Sequence, residues 1–374
     1  MSPRTTPPFR ADHVGSLLRP ASLLEARTAH AEGRLPADAL RAAEDEAVRD
    51  VVRLQQEVGL QTATDGELRR ASWHMDFIYR LGGVSKADHS MQVHFENEQG
   101  SIDFAPAATA VDDRVRLQEP IFADDFGFLQ SVVAGSGSTA KLTIPSPSMV
   151  HYRGGRAAIS RDVYPDLEQF WEDLAQAYRE EVAALAAQGC TYLQLDDTSL
   201  AYLNDPKQRE LVRAQGDDGD TQHLRNIAEI NAALRDRPEG LHVTTHMCRG
   251  NFRSSWAAEG GYDYVAEALF SSLEVDGFFL EFDDARSGGF APLRFVPPGK
   301  VVVLGLVTSK RPQLESKDDL KRRIDEAAQH VPLEQLALSP QCGFSSTSEG
   351  NALSVDDQRA KLALVVEVAQ EVWG

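Results

Sequence analysis

Short apolar runs alternate along the chain with longer segments that are apolar on one face only. In the segment 36–58, for example, Leu40, Ala43, Ala47 and Val51 recur at spacings of three or four residues, which places them on one side of a helix. Segments of this kind predict helices at 36–58, 165–188, 222–234, 262–271, 317–330 and 355–372. The apolar runs predict strands at 9–16, 61–64, 141–145, 192–196, 241–245, 277–280, 301–305 and 336–338.

The order of these elements predicts an α/β fold. Most of the strands are followed by a helix, and repeated strand-helix units with apolar strands form a parallel sheet. Eight such strands predict a closed (β/α)8 TIM barrel, so we expect residues 1–374 to form a single barrel domain. The segment 84–130 is polar and irregular, and we interpret it as an inserted β-hairpin region outside the barrel.

Composition and charge narrow the class of ligand. The formal net charge is −19, so nucleic acids and anionic membrane surfaces would repel the chain, which favours a small molecule as the partner. No run approaches the roughly 18 apolar residues of a membrane helix, and the N-terminus lacks the apolar core of a signal peptide. These features predict a cytoplasmic protein. The sequence leaves open whether the chain forms a homo-oligomer.

The cysteines indicate a metal site. Three cysteines are too few for a disulfide framework in a chain of 374 residues, and two of them follow predicted strands. His246 and Cys248 are separated by one residue, so in an extended chain both side chains leave on the same face. One nitrogen, two sulfurs and one carboxylate oxygen form a ligand set typical of zinc. We call the predicted ligands the metal cluster: His246, Cys248, Glu281 and Cys342.

The composition of the metal cluster predicts a particular chemistry. Zinc that is rich in thiolate ligands is better suited to binding another thiol, and holding it as a thiolate, than to making hydroxide. Taken singly, His246 could equally be a core histidine and Cys342 a small buried apolar residue. No catalytic residue is predicted beyond the metal cluster.

Two further carboxylates predict a site for an ammonium group. Glu67 and Asp196 follow predicted strands at the same rim, and we call them the acid pair. Surface charges or helix caps would explain these residues as well in so acidic a chain. The turn at Gly15 and Ser16 could offer backbone N–H groups to a carboxylate. An amino acid that bears a thiol would fit the acid pair, this turn and the metal cluster together.

Several basic residues are expected near the same rim. They are explained either as ordinary surface ion pairs or as a guide for an anionic co-substrate. These residues are Arg69, Arg70, Arg249, Arg253, Lys310 and Arg311. Trp73 and Trp256 lie in predicted rim loops and could supply a flat apolar wall, or could pack elsewhere.

Six stretches give the chain a resemblance to a known family. The stretches are His13-Val-Gly-Ser16, Thr64-Asp-Gly-Glu67, Gln194-Leu-Asp-Asp197, His246-Met-Cys248, Glu281 with Arg286-Ser287, and Ser339-Pro-Gln-Cys-Gly343. With them the chain resembles the catalytic C-terminal barrel of cobalamin-independent methionine synthase, in a core-only form. The resemblance implies that the metal cluster holds zinc, that the acid pair receives the amino group of homocysteine, and that Ser16 helps to hold its carboxylate.

The resemblance also implies the reaction, which is transfer of a methyl group to the thiol of homocysteine to give methionine, with a methyl-folate as the favoured donor. The sequence departs from the family where the donor would bind. No tryptophan occurs in 142–148, where the family has a folate-stacking tryptophan, and Thr308 occupies the place of the proton-relay histidine. A second, N-terminal barrel is absent from these 374 residues. More residues therefore support the prediction that homocysteine is the methyl acceptor than support the prediction of the methyl donor.

Two alternatives remain open at this stage. In the first, the enzyme alkylates another thiol, such as coenzyme M, with an epoxide or a different alkyl donor. Coenzyme M has no ammonium group, so it would leave the acid pair without a partner. In the second, the chain is a zinc-dependent thiol-binding protein without turnover.

Overall fold

Parallel strands form the largest sheet in the computed structural model, which describes residues 4–90, 93–97, 100–105 and 107–374. The strands are β1 Thr62–Ala63, β2 Gly82–Ser90, β3 Val93–Asn97, β4 Gly100–Phe104, β5 Ala107–Arg116, β6 Thr139–Ala140, β7 Leu142–Pro145, β8 Tyr192–Asp197, β9 His242–Met247, β10 Gly277–Glu281, β11 Val301–Val307 and β12 Leu336–Pro340. The main sheet has the order β12-β11-β10-β9-β8-β7, and each of its neighbouring pairs is parallel. Its strands are buried along almost their whole length, as expected for a sheet that is covered on both faces.

Two shorter contacts add the remaining strand positions of the barrel. Ala11 forms a parallel bridge with Leu338 of β12, and the backbone N–H of Asp12 donates to the Leu338 carbonyl at 3.0 Å. At the other edge β1 pairs in parallel with β6, with Thr62 opposite Thr139, and β6 leads directly into β7. Eight strand positions therefore follow one another in chain order, and the predicted (β/α)8 barrel is confirmed.

The predicted strand at 9–16 is wrong in its length, because only Ala11 in this segment pairs with another strand. The carboxylate of Asp12 accepts hydrogen bonds from the backbone N–H groups of Phe9, at 3.3 Å, and of His13, at 2.8 Å. A short polar side chain that bonds to nearby backbone groups competes with ladder pairing. The first strand position of the barrel is consequently a single bridge followed by a turn.

Helices cover the outside of the barrel. They are α1 Ala21–Ala31, α2 Ala37–Glu57, α3 Met75–Ile78, α4 Ala123–Val133, α5 Ser148–Tyr152, α6 Leu167–Ala187, α7 Ser199–Tyr202, α8 Pro206–Ala214, α9 Gln222–Ala233, α10 Ala266–Ser272, α11 Lys317–Ala327 and α12 Val355–Trp373. The long amphipathic helices begin and end within a few residues of their predicted bounds, whereas α1, α3, α4, α5, α7 and α8 were not predicted. Of these, α1 buries only Leu23 and α8 only Val212.

The inserted region consists of two antiparallel pairs of strands, β2 with β5 and β3 with β4. These strands span 82–116, and α4 occupies part of the remainder of the expected 84–130 segment. The backbone N–H of Glu96 in β3 donates to the Trp256 carbonyl at 2.7 Å, and the N–H of Trp256 donates to the Glu96 carbonyl at 2.9 Å. The hairpin of β3 and β4 is thereby fastened to the loop that follows β9. That residues 1–374 form a single domain stays a prediction.

In the described part of the chain, no helix combines the length and the apolar character needed to cross a membrane.

Candidate metal and substrate site

Three strands bring the metal cluster together. His246 lies near the end of β9, Glu281 is the last residue of β10, and Cys342 follows β12 by two residues. Parallel pairing sets His246 opposite Phe279 of β10, so the ends of these strands open onto the same face of the barrel. All four residues of the metal cluster are buried, and their ligand atoms lie within 4.8 Å of one another. The structure therefore brings together the four residues that the sequence singled out.

The two sulfurs of the metal cluster shift the pKa of each other in opposite directions. The Sγ atoms of Cys248 and Cys342 are 3.5 Å apart. The hydrogen bond from Cys248 holds the pKa of Cys342 well below its usual value, although burial opposes this shift. The same contact, reinforced by burial, raises the pKa of Cys248 well above its usual value. The contact between the sulfurs thus favours deprotonation of Cys342, and the thiolate is the form of cysteine that binds metal ions.

The imidazole of His246 lies beside the thiol of Cys342. Burial lowers the pKa of His246, but the interaction with Cys342 outweighs it and raises the pKa overall. Neither buried ring nitrogen forms a hydrogen bond of ordinary geometry with a described residue, which is costly unless another group satisfies it. One imidazole nitrogen, two sulfurs and one carboxylate, all converging within 4.8 Å, match the ligand types and the count of a four-coordinate zinc site. The residues present therefore fit zinc.

Arg249 and Gln341 fix the carboxylate of Glu281. The backbone N–H of Arg249 donates to Oε2 at 3.3 Å, and the side-chain amide of Gln341 donates to Oε1 at 3.2 Å. The guanidinium of Arg249 is fully buried and lies 3.8 Å from Oε2, while it also donates to the hydroxyl of Tyr262 at 3.0 Å and to the Gly260 carbonyl at 2.9 Å. Arg249 belongs to the basic residues expected at the rim, but here it orients a metal-cluster side chain.

The two carboxylates of the acid pair are also buried. Glu67 lies in a turn with its backbone in the left-handed region, at φ 56°, and its Oε1 accepts a hydrogen bond from the Thr143 hydroxyl at 2.8 Å. The other oxygen of Glu67 is buried without a hydrogen-bond partner among the described residues. In Asp196, Oδ1 accepts from the side-chain amide of Gln194 at 2.7 Å. Each carboxylate thus accepts a hydrogen bond from one neutral donor and keeps further acceptor capacity, although Oε1 of Glu67 also lies 3.9 Å from the guanidinium of Arg70.

The electrostatics of the acid pair favour a positive ligand. Burial raises the pKa of Asp196 to about 7, with His246 opposing the shift and Glu67 adding to it. Burial likewise raises the pKa of Glu67, although Arg70 opposes that shift. Two buried carboxylates that each disfavour the charge of the other would be stabilised by an ammonium group placed between them.

One cavity of about 190 Å³ connects the metal cluster with the acid pair. We call it the first cavity. Its lining includes Ser16, both carboxylates of the acid pair, and His246, Cys248 and Cys342 of the metal cluster. Phe95 and Phe104 of the inserted hairpin form an apolar wall with Phe252, whose ring centroid is 4.4 Å from that of Phe104. The hairpin therefore covers part of the site.

Gly343 is needed for Ser16 to occupy this position. A β carbon added at Gly343 would clash with the hydroxyl oxygen of Ser16. We expect Gly343→Ala to lower the free energy of unfolding by about 1–3 kcal/mol, because overpacking forces a shift of neighbouring atoms. Urea denaturation of the two proteins measures this difference.

A double-mutant cycle tests the assigned cause of that loss. In a Ser16→Gly background, Gly343→Ala should cost much less, because the clashing side chain is gone. Gly289→Ala is the matched control, since an added β carbon there meets no atom within 4 Å. An equal cost of Gly343→Ala in both backgrounds would show that Ser16 is not the obstacle.

The basic residues expected at the rim divide into different roles. Arg69 forms ion pairs with Asp45, at 2.7 Å, and with Asp125, at 3.1 Å, away from the first cavity. Arg70 donates to the backbone carbonyl of Thr143 at 2.7 Å. Arg253, Lys310 and Arg311 instead line a separate cavity of about 300 Å³, together with Thr308 and Trp256. Trp73 does line the first cavity, where its ring stacks on that of His74 with centroids 4.2 Å apart.

Arg153 and Tyr202 are two of the polar residues of the first cavity that sequence reasoning missed. Arg153 directly follows α5, and Tyr202 ends α7. Both short helices come after barrel strands, β7 and β8, and that position was the available signal, since loops after the strands of a barrel form its working face. Neither residue belongs to a recognisable motif.

Comparisons with known proteins agree on one family. A family model described as the catalytic domain of cobalamin-independent synthase matches residues 138–371. The chain is 46% identical to the uncharacterized protein YxjH of Bacillus subtilis, over 98% of this chain and 95% of that protein. It is 25% identical to the methionine synthase of Pyrococcus abyssi, over 88% of this chain and 85% of that enzyme. A crystal structure from Listeria monocytogenes, assigned as a vitamin-B12 independent methionine synthase, has 37% identity and a TM-score of 0.77, with 99% of both chains covered.

These matches extend over the site. The residues matched by the family model include the whole metal cluster and Asp196, and the longer alignments extend the likeness to nearly the full chain. The chain belongs to the family of cobalamin-independent methionine synthases and is a methyltransferase of the type found in that family.

Proposed function

We propose that this methyltransferase uses one zinc ion, held by the metal cluster, to methylate the thiol of homocysteine with a methyl-folate as donor, giving methionine. The observation that carries the proposal is the first cavity, which joins a thiol-type metal site to two buried carboxylates. A substrate that has a thiol at one end and an ammonium group at the other satisfies both.

The chemistry requires a deprotonated thiol. When bound, zinc at the metal cluster would supply a Lewis acid that stabilises the thiolate form of a substrate thiol. The homocysteine sulfur then bonds to the methyl carbon while the bond from that carbon to the donor breaks, and the electron pair of that bond stays with the donor. The proton that the thiol loses balances the proton that the donor takes up. No oxidant or reductant is consumed.

The chain supplies position and charge for this step. Arg249 and Gln341 fix Glu281, and so keep one ligand in place before the substrate arrives. The acid pair receives the ammonium group, which would restore the charged form of Asp196 that burial disfavours. Ser16, which lines the same cavity, would help to hold the carboxylate of the same amino acid. Alignment of the sulfur with the methyl carbon is then set by contacts at both ends of the substrate.

Titration calorimetry tests this function. The zinc-loaded protein is titrated with L-homocysteine and, separately, with coenzyme M, in two buffers of different ionisation enthalpy that reveal proton release. We expect homocysteine to bind with release of a proton and coenzyme M to bind weakly or not at all. If coenzyme M binds as well or better, the amino-acid site is wrong, and an alkyl transferase acting on another thiol replaces the proposal. If homocysteine binds but no donor transfers a methyl group to it, the chain is a thiol-binding protein without turnover.

Glu67→Gln tests the ammonium contact. The variant removes the charge but keeps the shape of the side chain, so we expect the affinity for homocysteine to fall by about tenfold or more while zinc is retained. The dissociation constant from calorimetry and the zinc content per chain are the two measurements.

Glu349→Gln is the matched control, because Glu349 is an exposed carboxylate at the rim of the first cavity. Its affinity for homocysteine should stay within about twofold of the unsubstituted chain, since exposed charges contribute little. An unchanged affinity in Glu67→Gln would refute the contact between Glu67 and the amino group. Location in the cytoplasm and assembly into a homo-oligomer stay predictions.

A further inference from the structure

The segment that carries Ser16 is held by individual hydrogen bonds where a strand ladder is missing. In the segment 9–16, only Ala11 forms a bridge with a described strand. Further along, four successive residues, which we call the first turn, each have a carbonyl that accepts a hydrogen bond from another part of the barrel. In chain order the acceptors are the carbonyls of His13, Val14, Gly15 and Ser16, and the donors are the Lys141 ammonium, the Gln194 amide, the Thr64 hydroxyl and the Phe344 N–H, at 2.6, 2.6, 2.7 and 2.9 Å. The position of Ser16 therefore depends on these four hydrogen bonds.

Gln194 joins the first turn to the acid pair. Its side-chain nitrogen donates to the Val14 carbonyl at 2.6 Å and to Oδ1 of Asp196 at 2.7 Å. Both partners are acceptors, so the nitrogen of the amide must face them, and each of its two N–H groups serves one partner. Gln194 is fully buried and does not line the first cavity. It would therefore act on a ligand through Val14 and Asp196.

The oxygen of the same amide is left without a partner. Oε1 of Gln194 is buried and forms no hydrogen bond with a described residue. An unpaired buried acceptor lowers stability, so a side chain selected for stability alone would not leave it in this state. Incomplete hydrogen bonding of this kind is expected where a residue serves a functional site. The two donor contacts of Gln194 therefore point to a role beyond folding.

The other carboxylate of the acid pair is also tied to the first turn. The Thr64 hydroxyl donates to the Gly15 carbonyl at 2.7 Å, and the backbone N–H of Leu17 donates to the Gly66 carbonyl at 3.0 Å. Thr64 and Gly66 belong to the turn that carries Glu67. A β carbon added at Gly15 would lie 3.3 Å from Oε1 of Glu67, so the first turn is close to that carboxylate. Both carboxylates of the acid pair thus have a fixed position relative to Ser16.

A fixed distance between these groups matters for one class of ligand. An α-amino acid carries its ammonium and its carboxylate on the same carbon, so the two groups that receive them must keep a short and constant separation. A shift of either receiving group weakens a ligand that must reach both of them. A ligand that has only the ammonium or only the carboxylate can follow the group that moves.

We propose that Gln194 is a positioning residue that sets the distance between the first turn and Asp196, and thereby selects thiols that are α-amino acids. This inference rests on the proposed function, because it places the ammonium of the substrate at the acid pair and its carboxylate at Ser16. It adds the residue that couples the two ends of the amino-acid site.

The first turn should stay in place, although less exactly, when Gln194 is replaced. The donors Lys141, Thr64 and Phe344 remain. Lys141 is itself fixed, since its fully buried ammonium lies 3.5 Å from the carboxylate of Asp12 and 4.1 Å from the ring centre of Phe279. Loss of the Gln194 contacts therefore frees the spacing of the site and leaves the barrel intact.

Calorimetry with three thiols tests the coupling of the two ends. The zinc-loaded full chain is titrated with L-homocysteine and with two single-ended thiols, 3-aminopropanethiol, which lacks the carboxylate, and 4-mercaptobutanoate, which lacks the ammonium. Gln194→Met keeps the length of the side chain and removes both donors. We expect the affinity for homocysteine to fall by about tenfold or more, and the affinities for the single-ended thiols to change by less than about threefold.

The preference for L- over D-homocysteine gives a second readout that does not depend on the single-ended thiols. The enantiomers carry the same groups and differ only in their directions, so discrimination between them needs both ends of the site in fixed positions. We expect Gln194→Met to reduce the ratio of the two affinities by about threefold or more. If Gln194→Met does not fold, Gln194→Asn replaces it, since this side chain keeps the amide but is one methylene too short to reach both acceptors.

Gln335→Met is the matched control. The side-chain nitrogen of Gln335 also donates to two acceptors, the carbonyls of Pro297 and Lys300, both at 2.8 Å. Gln335 directly precedes β12, so it lies at the end of the barrel opposite to the metal cluster. This variant should bind all the thiols as the unsubstituted chain does.

Three results would overturn the inference. In the first, Gln194→Met weakens all three thiols by the same factor and keeps the preference for the L form, as a general structural defect would. In the second, its affinity for homocysteine is unchanged. In the third, the unsubstituted chain binds 3-aminopropanethiol as tightly as homocysteine, or does not distinguish the enantiomers, so that no carboxylate contact exists to be positioned. Failure of the unsubstituted chain to bind zinc or homocysteine would instead refute the proposed function.

Discussion

A chain in which serine replaces Cys342 should lose its zinc and, with it, nearly all methyl transfer. Cys342 is buried and lies 3.5 Å, sulfur to sulfur, from Cys248, so a serine hydroxyl there would offer a poor ligand in a site shaped for a thiolate. Loss of a residue that only orients a metal ligand costs about 10–100-fold, so loss of a direct ligand should exceed about 100-fold in turnover. Zinc content after dialysis against a chelator, followed by activity, measures the effect.

Cys190→Ser provides the matched control for this variant. Cys190 is also buried, but its thiol donates to the Tyr192 carbonyl at 3.5 Å, and burial raises its pKa to about 12, which keeps it protonated. The same chemical change there should leave one zinc per chain. Retention of one tightly bound zinc by Cys342→Ser would show that the metal cluster has been assigned wrongly.

Arg249→Met should have the largest effect on stability. The fully buried guanidinium compensates the buried carboxylate of Glu281 and donates to oxygens of Gly260, Tyr262 and Ser287. Removal of one partner of a buried ion pair typically costs about 3–5 kcal/mol. Lys310 and Arg286 also lower the pKa of Glu281, so the loss here includes the buried oxygens that Arg249 no longer satisfies. We therefore expect the free energy of unfolding of the zinc-free protein to fall by that amount in urea denaturation, and by less in zinc-loaded protein, where the metal compensates the carboxylate.

The contrast with an exposed arginine makes this test specific. Arg322→Met removes ion pairs with Asp319, at 3.3 Å, and Glu326, at 2.6 Å, on a solvent-facing helix. Such surface pairs contribute roughly 0–1 kcal/mol, so this variant should unfold almost as the unsubstituted chain does. Equal losses in the two variants would refute the special role of Arg249.

The fold could be predicted wherever burial leaves a periodic pattern. In β11 every residue is buried, and α2 buries Val48, Val51 and Val52 along one face, so an apolar run and an amphipathic repeat marked these elements clearly. The length of the first strand was predicted wrongly because Asp12 forms hydrogen bonds with the local backbone. The pattern of apolar residues gives no sign of such bonds. Helices α1 and α8 were not predicted, and each of them buries a single residue.

The metal cluster could be predicted from the sequence because its residue types are uncommon. Cysteine, histidine and glutamate at strand ends are rare enough to be noticed, and the structure gathers the ligand atoms of His246, Cys248, Glu281 and Cys342 within 4.8 Å. Arginines and tyrosines are common, so Arg153 and Tyr202 could be picked out only once their lack of partners was visible. Arg249 was noticed for its charge, but its contact with Glu281 joins the ends of two strands, and such a pairing depends on the closed barrel.

The support of Glu281 by Arg249 and Gln341 changes how metal uptake relates to folding. In small zinc domains the free energy of metal binding drives folding, so chelation unfolds them. Here the barrel core and these hydrogen bonds already set the ligand geometry, and the metal joins a preorganised scaffold. The proposed zinc ion would therefore leave and return while the barrel stays folded, and activity would track free zinc in its surroundings as a reversible equilibrium.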